Sequence, residues 1–96
     1  MIEKYESRRI RRDIRRVLLT VWDPIGVKDA PEAQDEYDGY LGDVFALLTE
    51  GKSDDAIVDY LLRVVNESMG LGSATGEDML PTLRALREIP LEGQVR

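Results

Sequence analysis

The feature that most constrains this fold is an uninterrupted amphipathic stretch from about residue 3 to residue 22. It contains no Gly or Pro, and the first proline, Pro24, disfavours helical geometry in the residue before it. Within the stretch, apolar side chains recur at helical spacing at Ile10, Ile14, Val17, Leu18 and Val21. We therefore expect a first helix over residues 3–22, followed by a turn that runs from Pro24 to Gly26.

Two further helices are predicted from their end signals and apolar periodicity. The second is expected at about residues 36–50, with Asp35 as its N-cap and Gly51 as the left-handed residue that closes it. The third begins after Ser53, which is a favourable N-cap, and ends at Gly70. Because the connection between these helices is short, we expect them to form an antiparallel pair.

A fourth helix is predicted at about residues 77–89, with Pro81 tolerated in its first turn. No segment alternates apolar and polar residues with a period of two for more than a few residues, so no sheet is expected. The predicted fold class is all-α, as a single compact domain of four helices. This domain spans residues 1–96, and residues 90–96 are expected to form a frayed tail.

The composition narrows the classes of function. The chain has no Cys, which excludes disulfides and thiolate metal sites and favours the cytoplasm. It also has no His, the commonest general base and metal ligand. The longest apolar runs are far shorter than the ~20 residues needed to cross a bilayer. We therefore expect a non-enzymatic protein with no cofactor, no metal and no membrane association.

Residues 22–40 form the one segment that neither helix periodicity nor ordinary loop composition explains. We assign structural roles to five of its residues: Trp22, Asp23, Pro24, Asp35 and Gly39. Trp22 continues the apolar stripe into the core, and Asp23 can accept hydrogen bonds from loop amides, a Tyr hydroxyl or an Arg. Gly39 and Gly42 each cost ~1 kcal/mol relative to Ala inside a helix. Close approach of the turn after Trp22 is the expected compensation.

The outward carboxylates of this segment form one candidate interaction surface, made of Asp29, Glu32 and Glu36. Binding of a divalent cation is an alternative, but Gln34 and Phe45 stand where an EF-hand loop needs carboxylates. A carboxylate-based or metal-dependent enzyme acting near Asp23 and Asp35 is a further alternative.

The second candidate surface is the basic face of the first helix. Its predicted contact residues are Arg8, Arg9, Arg12, Arg15 and Arg16, which share a face with Arg11. Residues 1–22 carry a net charge of +4, residues 23–59 of −9 and residues 60–96 of −1. Such a face can bind an acidic protein, support self-association, contact nucleic-acid phosphates or simply be solvated. The net charge of −6 and the lack of aromatics among the arginines count against nucleic acid.

Four motifs resemble, in order and spacing, those of a family of small bacterial helical domains of unknown function. They are WDPIGV at residues 22–27, DEYDGY at 35–40, GKSDDAIVDYL at 51–61 and MGL at 69–71. The resemblance covers about residues 10–71 and implies the helical fold but no activity. The arginine-dense first helix is not part of the pattern.

The function expected from the sequence is a non-enzymatic protein–protein interaction module with a protein as its partner. The small size and acidic character suggest an immunity-like or regulatory accessory protein. Binding of nucleic acid or another polyanion through the first helix is the alternative, and enzymatic activity is the least favoured.

Overall fold

The computed structural model describes residues 4–24, 26, 30, 32, 35–70, 72 and 74–91. Its four α-helices are α1 (Lys4–Val17), α2 (Asp38–Thr49), α3 (Asp54–Arg63) and α4 (Leu80–Arg87). Two helices continue into five-residue π-helical turns, Leu18–Trp22 after α1 and Val64–Ser68 after α3, and a 3₁₀ turn, Glu77–Met79, leads into α4. No strand occurs in these residues. The predicted all-α class is confirmed.

The four helices pack around one hydrophobic core. α1 contacts α2 and α4, and α3 contacts the same two helices from the other side. Every helix contributes side chains that are almost fully buried, among them Ile14, Val44, Leu61 and Leu86. Burying a side chain of this size contributes roughly 1.5–3 kcal/mol. The apolar periodicity of each helix therefore supplies the surface that holds it against its neighbours.

The connection between α2 and α3 follows the prediction. Gly51 has a φ of +72°, a left-handed conformation that favours glycine, and it ends α2. Ser53 caps α3, because its Oγ accepts a hydrogen bond of 3.1 Å from the amide of Ala56. The guanidinium of Arg87 donates to Oδ1 of Asp54 and to the carbonyl of Lys52, both at 2.8 Å. The C-terminal end of α4 is thus tied to the start of α3.

The π-helical turn at the end of α1 changes which side chains face the core. The amide of Asp23 donates to the carbonyl of Leu18 at 2.9 Å, a bond that encloses one more residue than an α-helical turn. The extra residue moves Trp22 towards the position that Val21 would occupy in a continuous α-helix. Val21 is therefore 41% exposed, whereas Leu19 and Trp22 are each 7% exposed. The prediction that Val21 belongs to the buried stripe is wrong.

α2 begins later than predicted. Its first residue is Asp38, its N-cap is Tyr37, and no side chain caps that end. Asp35, the predicted N-cap, lies in a turn and acts through its backbone carbonyl, which accepts from the amide of Asp38 at 3.1 Å. The carboxylate in the first turn, favourable to the helix dipole, is that of Asp38.

Gly39 and Gly42 are not explained by close packing. A Cβ added to either residue would meet no atom of the described residues within 4 Å, and neither residue has a positive φ. The predicted close approach of the turn after Trp22 is therefore wrong. Both glycines are exposed on α2, where they lower the helix propensity without a compensating contact.

Gly42→Ala is therefore expected to stabilise the protein by up to ~1 kcal/mol, because Ala restricts the unfolded chain and meets no obstacle in the folded one. Urea denaturation followed by circular dichroism measures the change. A lower midpoint for the Ala variant would show that position 42 has a close neighbour after all.

The chain remains anchored beyond α4. The carbonyl of Pro90 accepts a hydrogen bond of 2.7 Å from Nη2 of Arg9, and Leu91 packs against the core. Both residues fall in the segment predicted to be a frayed tail, residues 90–96. The anchored part of the chain extends at least to Leu91, and residues 92–96 lie outside the described part of the structure.

Candidate interaction surfaces

Arg9, a predicted contact residue, is bound within its own chain. Its guanidinium pairs with Glu6 at 2.9 Å and with Asp13 at 3.3 Å. It also donates to the carbonyl of Pro90. Each of the three guanidinium nitrogens of Arg9 donates to one of these groups. Arg9 therefore connects α1 to the C-terminal segment.

Two further arginines hold α1 against α2. The guanidinium of Arg11 lies 4.2 Å from the centre of the Phe45 ring, within the range of a cation–π contact. Nε of Arg15 donates to Oδ1 of Asp38 at 3.0 Å. Both residues of that ion pair are more than a third exposed, so the pair contributes at most ~1 kcal/mol. Arg11 and Arg15, which belong to the predicted basic face, therefore stabilise the packing of α1 against α2.

The remaining arginines of α1 form a continuous line, which we name the arginine stripe: Arg8, Arg12 and Arg16. All three are exposed, and their side chains form no hydrogen bond or ion pair with another residue in the described part of the chain. They are four residues apart, so they follow one another along the helix at intervals of about 6 Å. Of the predicted basic surface, these three side chains are available to a partner.

Tyr5 extends this face at the N-terminal end of α1. Its side chain is 75% exposed, the largest exposure of any large apolar residue that the structure describes. It precedes Arg8 by three residues and Arg12 by seven, which is the spacing of one helix face. Tyr5 was not among the predicted contacts, although this spacing was visible in the sequence.

The acidic candidate surface is described only in part. Glu32 and Glu36 are exposed, whereas Asp29 lies outside the described residues. No hydrogen bond or ion pair of the two described carboxylates links them to another described residue. This surface remains a prediction.

The aromatic residues near the end of α1 form a cluster in the core. The ring of Trp22 lies 5.3 Å from that of Tyr37 and 6.2 Å from that of Tyr40, centre to centre. Tyr37 is 1% exposed, and its hydroxyl donates to Oδ1 of Asp23 at 2.9 Å. Asp23 has a left-handed backbone, with φ of 33° and ψ of 54°, and its carbonyl accepts from the amide of Gly26 in the turn that contains Pro24. A Tyr hydroxyl was one of the donors predicted for Asp23.

A groove between α2 and α3 was not predicted. We name it the tyrosine groove; it has a volume of about 330 Å³ and is lined by Gly39, Tyr40, Asp43, Tyr60, Arg63, Val64 and Glu67. The hydroxyl of Tyr60 donates to Oδ2 of Asp43 at 2.9 Å across it. The start of α2 therefore faces the end of α3, which confirms that the two helices are antiparallel.

The charges around the tyrosine groove leave it acidic. Burial, followed by the hydrogen bond to Asp43 and the charge of that carboxylate, raises the pKa of Tyr60 above its ordinary value, so this phenol is neutral near pH 7. Arg63 pairs with Asp59 at 2.8 Å. Glu67 is exposed and forms no ion pair with another described residue.

Among the residues that the structure describes, no three carboxylates converge as metal ligands would. None of the described helices is long and apolar enough to span a membrane. Comparison of the chain with family models, curated proteins and solved structures finds no match. The resemblance of the four motifs to a family of bacterial helical domains therefore stays a prediction.

Proposed function

We propose that this protein is a non-enzymatic interaction module that binds an acidic surface of a partner protein through the arginine stripe. The observation that carries the proposal is the division of the arginines on α1. Arg9, Arg11 and Arg15 are engaged by their own chain, whereas Arg8, Arg12 and Arg16 point outward in one line without a partner in the described residues.

In the unbound protein, the three positive charges of the arginine stripe repel one another. Like charges four residues apart on a helix repel, by about 0.2–0.5 kcal/mol per pair, and the stripe contains two such pairs. A carboxylate-bearing partner relieves this repulsion, because each guanidinium can pair with one carboxylate in a bidentate geometry. The stripe is thus better suited to the bound state than to the free one.

The charge of the rest of the chain favours a protein over a polyanion. Residues 23–96 carry a net charge of −10, which repels the dense negative charge of nucleic acid at long range. A partner with a local acidic patch and a mixed surface elsewhere avoids most of this repulsion. We place the interaction in the cytoplasm, consistent with the absence of Cys, in an immunity-like or regulatory accessory role.

Reversing two charges of the stripe tests the proposal. Arg8→Glu/Arg12→Glu is expected to weaken capture of the partner at least tenfold, since two attractive contacts become repulsive. The matched control is Lys52→Glu/Arg84→Glu, which makes the same change in net charge at two exposed residues away from α1. The tagged wild type and both variants are used to capture proteins from the source cells, with and without nuclease.

A protein retained by the wild type and the control but lost by the stripe variant supports the proposal. Equal capture by both variants, or no capture by the wild type, contradicts it. Capture that depends on the stripe but disappears with nuclease would establish the nucleic-acid alternative instead.

A further inference from the structure

We propose that the tyrosine groove binds a positively charged group, either an ammonium or a guanidinium. This inference does not depend on the arginine stripe, because the groove lies between α2 and α3 and has the opposite charge. Three features of the groove support the inference: its size, its charged and aromatic lining, and the glycine at its edge.

The volume of about 330 Å³ is at the lower end of the range for ligand pockets, ~300–1,000 Å³. A space of this size accommodates one long side chain or a small amine rather than a large cofactor. It is formed by two packed helices, so its walls are fixed by the core beneath them. Val64, which lines the groove from the π-helical turn after α3, is itself buried in that core.

The lining attracts cations by two routes. Asp43 and Glu67 contribute two carboxylates, while Arg63, the one cation among the described residues of the lining, is paired with Asp59 outside the groove. Tyr40 and Tyr60 contribute aromatic rings, which attract ammonium and guanidinium groups through their quadrupoles. The hydroxyl of Tyr60 donates a hydrogen bond to Asp43, which fixes the carboxylate in place without neutralising its charge.

Gly39 keeps the groove open. It lines the groove, it has no positive φ, and a Cβ at this position would meet no described residue within 4 Å. Neither backbone geometry nor packing therefore requires glycine, although glycine is disfavoured in a helix. A long side chain at position 39 would occupy the space that we assign to the ligand.

Butylammonium, which reproduces the end of a Lys side chain, is the first probe. In an NMR titration of the full chain it is expected to shift the amide signals of groove residues and to saturate, whereas butyrate at the same concentration leaves them unchanged. Asp43→Asn/Glu67→Gln is expected to weaken butylammonium binding at least tenfold. The Asn at position 43 can still accept the Tyr60 hydrogen bond, so the fold is preserved.

A pair of glycine variants distinguishes binding in the groove from non-specific attraction of the cation to an acidic protein. Gly39→Gln is expected to abolish the saturable shifts, whereas Gly42→Gln, on the same helix but outside the lining, is expected to retain them. Equal effects of the two variants would overturn the proposal. Shifts that spread over acidic residues throughout the protein without saturating would also overturn it.

A tetralysine peptide as second probe identifies the source of the cation. Binding at least tenfold tighter than that of butylammonium, still blocked by Gly39→Gln, supports a Lys or Arg side chain of a partner protein. Equal affinity, blocked by the same substitution, supports a free small amine. Tetralysine binding that Gly39→Gln leaves unchanged would contradict the assignment to this groove.

Discussion

Trp22→Ala is expected to lower the free energy of unfolding by about 3–5 kcal/mol, because it removes the largest side chain of the core. The indole is 7% exposed and packs against the rings of Tyr37 and Tyr40. A domain of this size has a total stability of only about 5–15 kcal/mol, so the variant should be close to unfolding at 25 °C. Trp22 is the only Trp, and unfolding in urea is therefore followed by circular dichroism rather than fluorescence.

The neighbouring residue supplies the control. Val21→Ala is expected to cost less than about 1 kcal/mol, because the π-helical turn leaves Val21 41% exposed. Trp22→Phe should cost less than Trp22→Ala, because Phe keeps an aromatic ring in the core. The loss of the buried indole Nε1 breaks no hydrogen bond to a described residue. Similar losses for Val21→Ala and Trp22→Ala would contradict the register that this turn imposes.

The helix ends were predictable where their chemistry is local. Ser53 and Gly51 act within a few residues of their own positions, and Pro81 sits in the first turn of α4 as the geometry of proline requires. Such signals depend on backbone conformation and on hydrogen bonds made within a few residues. They remain valid whatever the helices pack against.

The register after Val17 was not predictable, because four of the five residues from Leu18 to Trp22 are apolar. Leu18, Leu19, Val21 and Trp22 satisfy either an α-helical or a π-helical continuation. The choice depends on packing against α4, which a count along one helix does not include. The start of α2 was also mispredicted because it involves a distant residue. Asp38, the first residue of α2, is paired with Arg15 of α1, twenty-three residues earlier.

The candidate surfaces also depend on contacts between helices, which spacing along a single helix does not reveal. Spacing along α1 located the basic face, but the division of its arginines depends on distant groups such as Phe45, Asp38 and Pro90. The tyrosine groove was missed because Gly39 was interpreted as a packing contact and Tyr40 was not among the candidate contact residues. Only the juxtaposition of α2 with Tyr60 of α3 brings these residues to one groove.

Asp23→Ala is expected to cost about 2–4 kcal/mol, for two separable reasons. The left-handed backbone at φ 33° disfavours Ala by about 1–2 kcal/mol, whereas Asp tolerates it through local hydrogen bonds. The substitution also removes an acceptor from the Tyr37 hydroxyl, and losing a hydrogen bond of a buried hydroxyl costs about 1–3 kcal/mol. Urea denaturation of the variant against the wild type measures the total.

Three further variants separate the two contributions. Asp23→Gly relieves the backbone and should be more stable than Asp23→Ala by about 1 kcal/mol, while Asp23→Asn keeps both the backbone preference and an acceptor and should be the least damaging. In a Tyr37→Phe background, Asp23→Ala should cost less than in the wild type, and the difference between the two losses measures the coupling between Asp23 and Tyr37. Equal losses for Gly and Ala, or no coupling to Tyr37, would contradict this account. Because Asp23 lies in the turn and not on the arginine stripe, all folded variants should retain the binding proposed for that stripe.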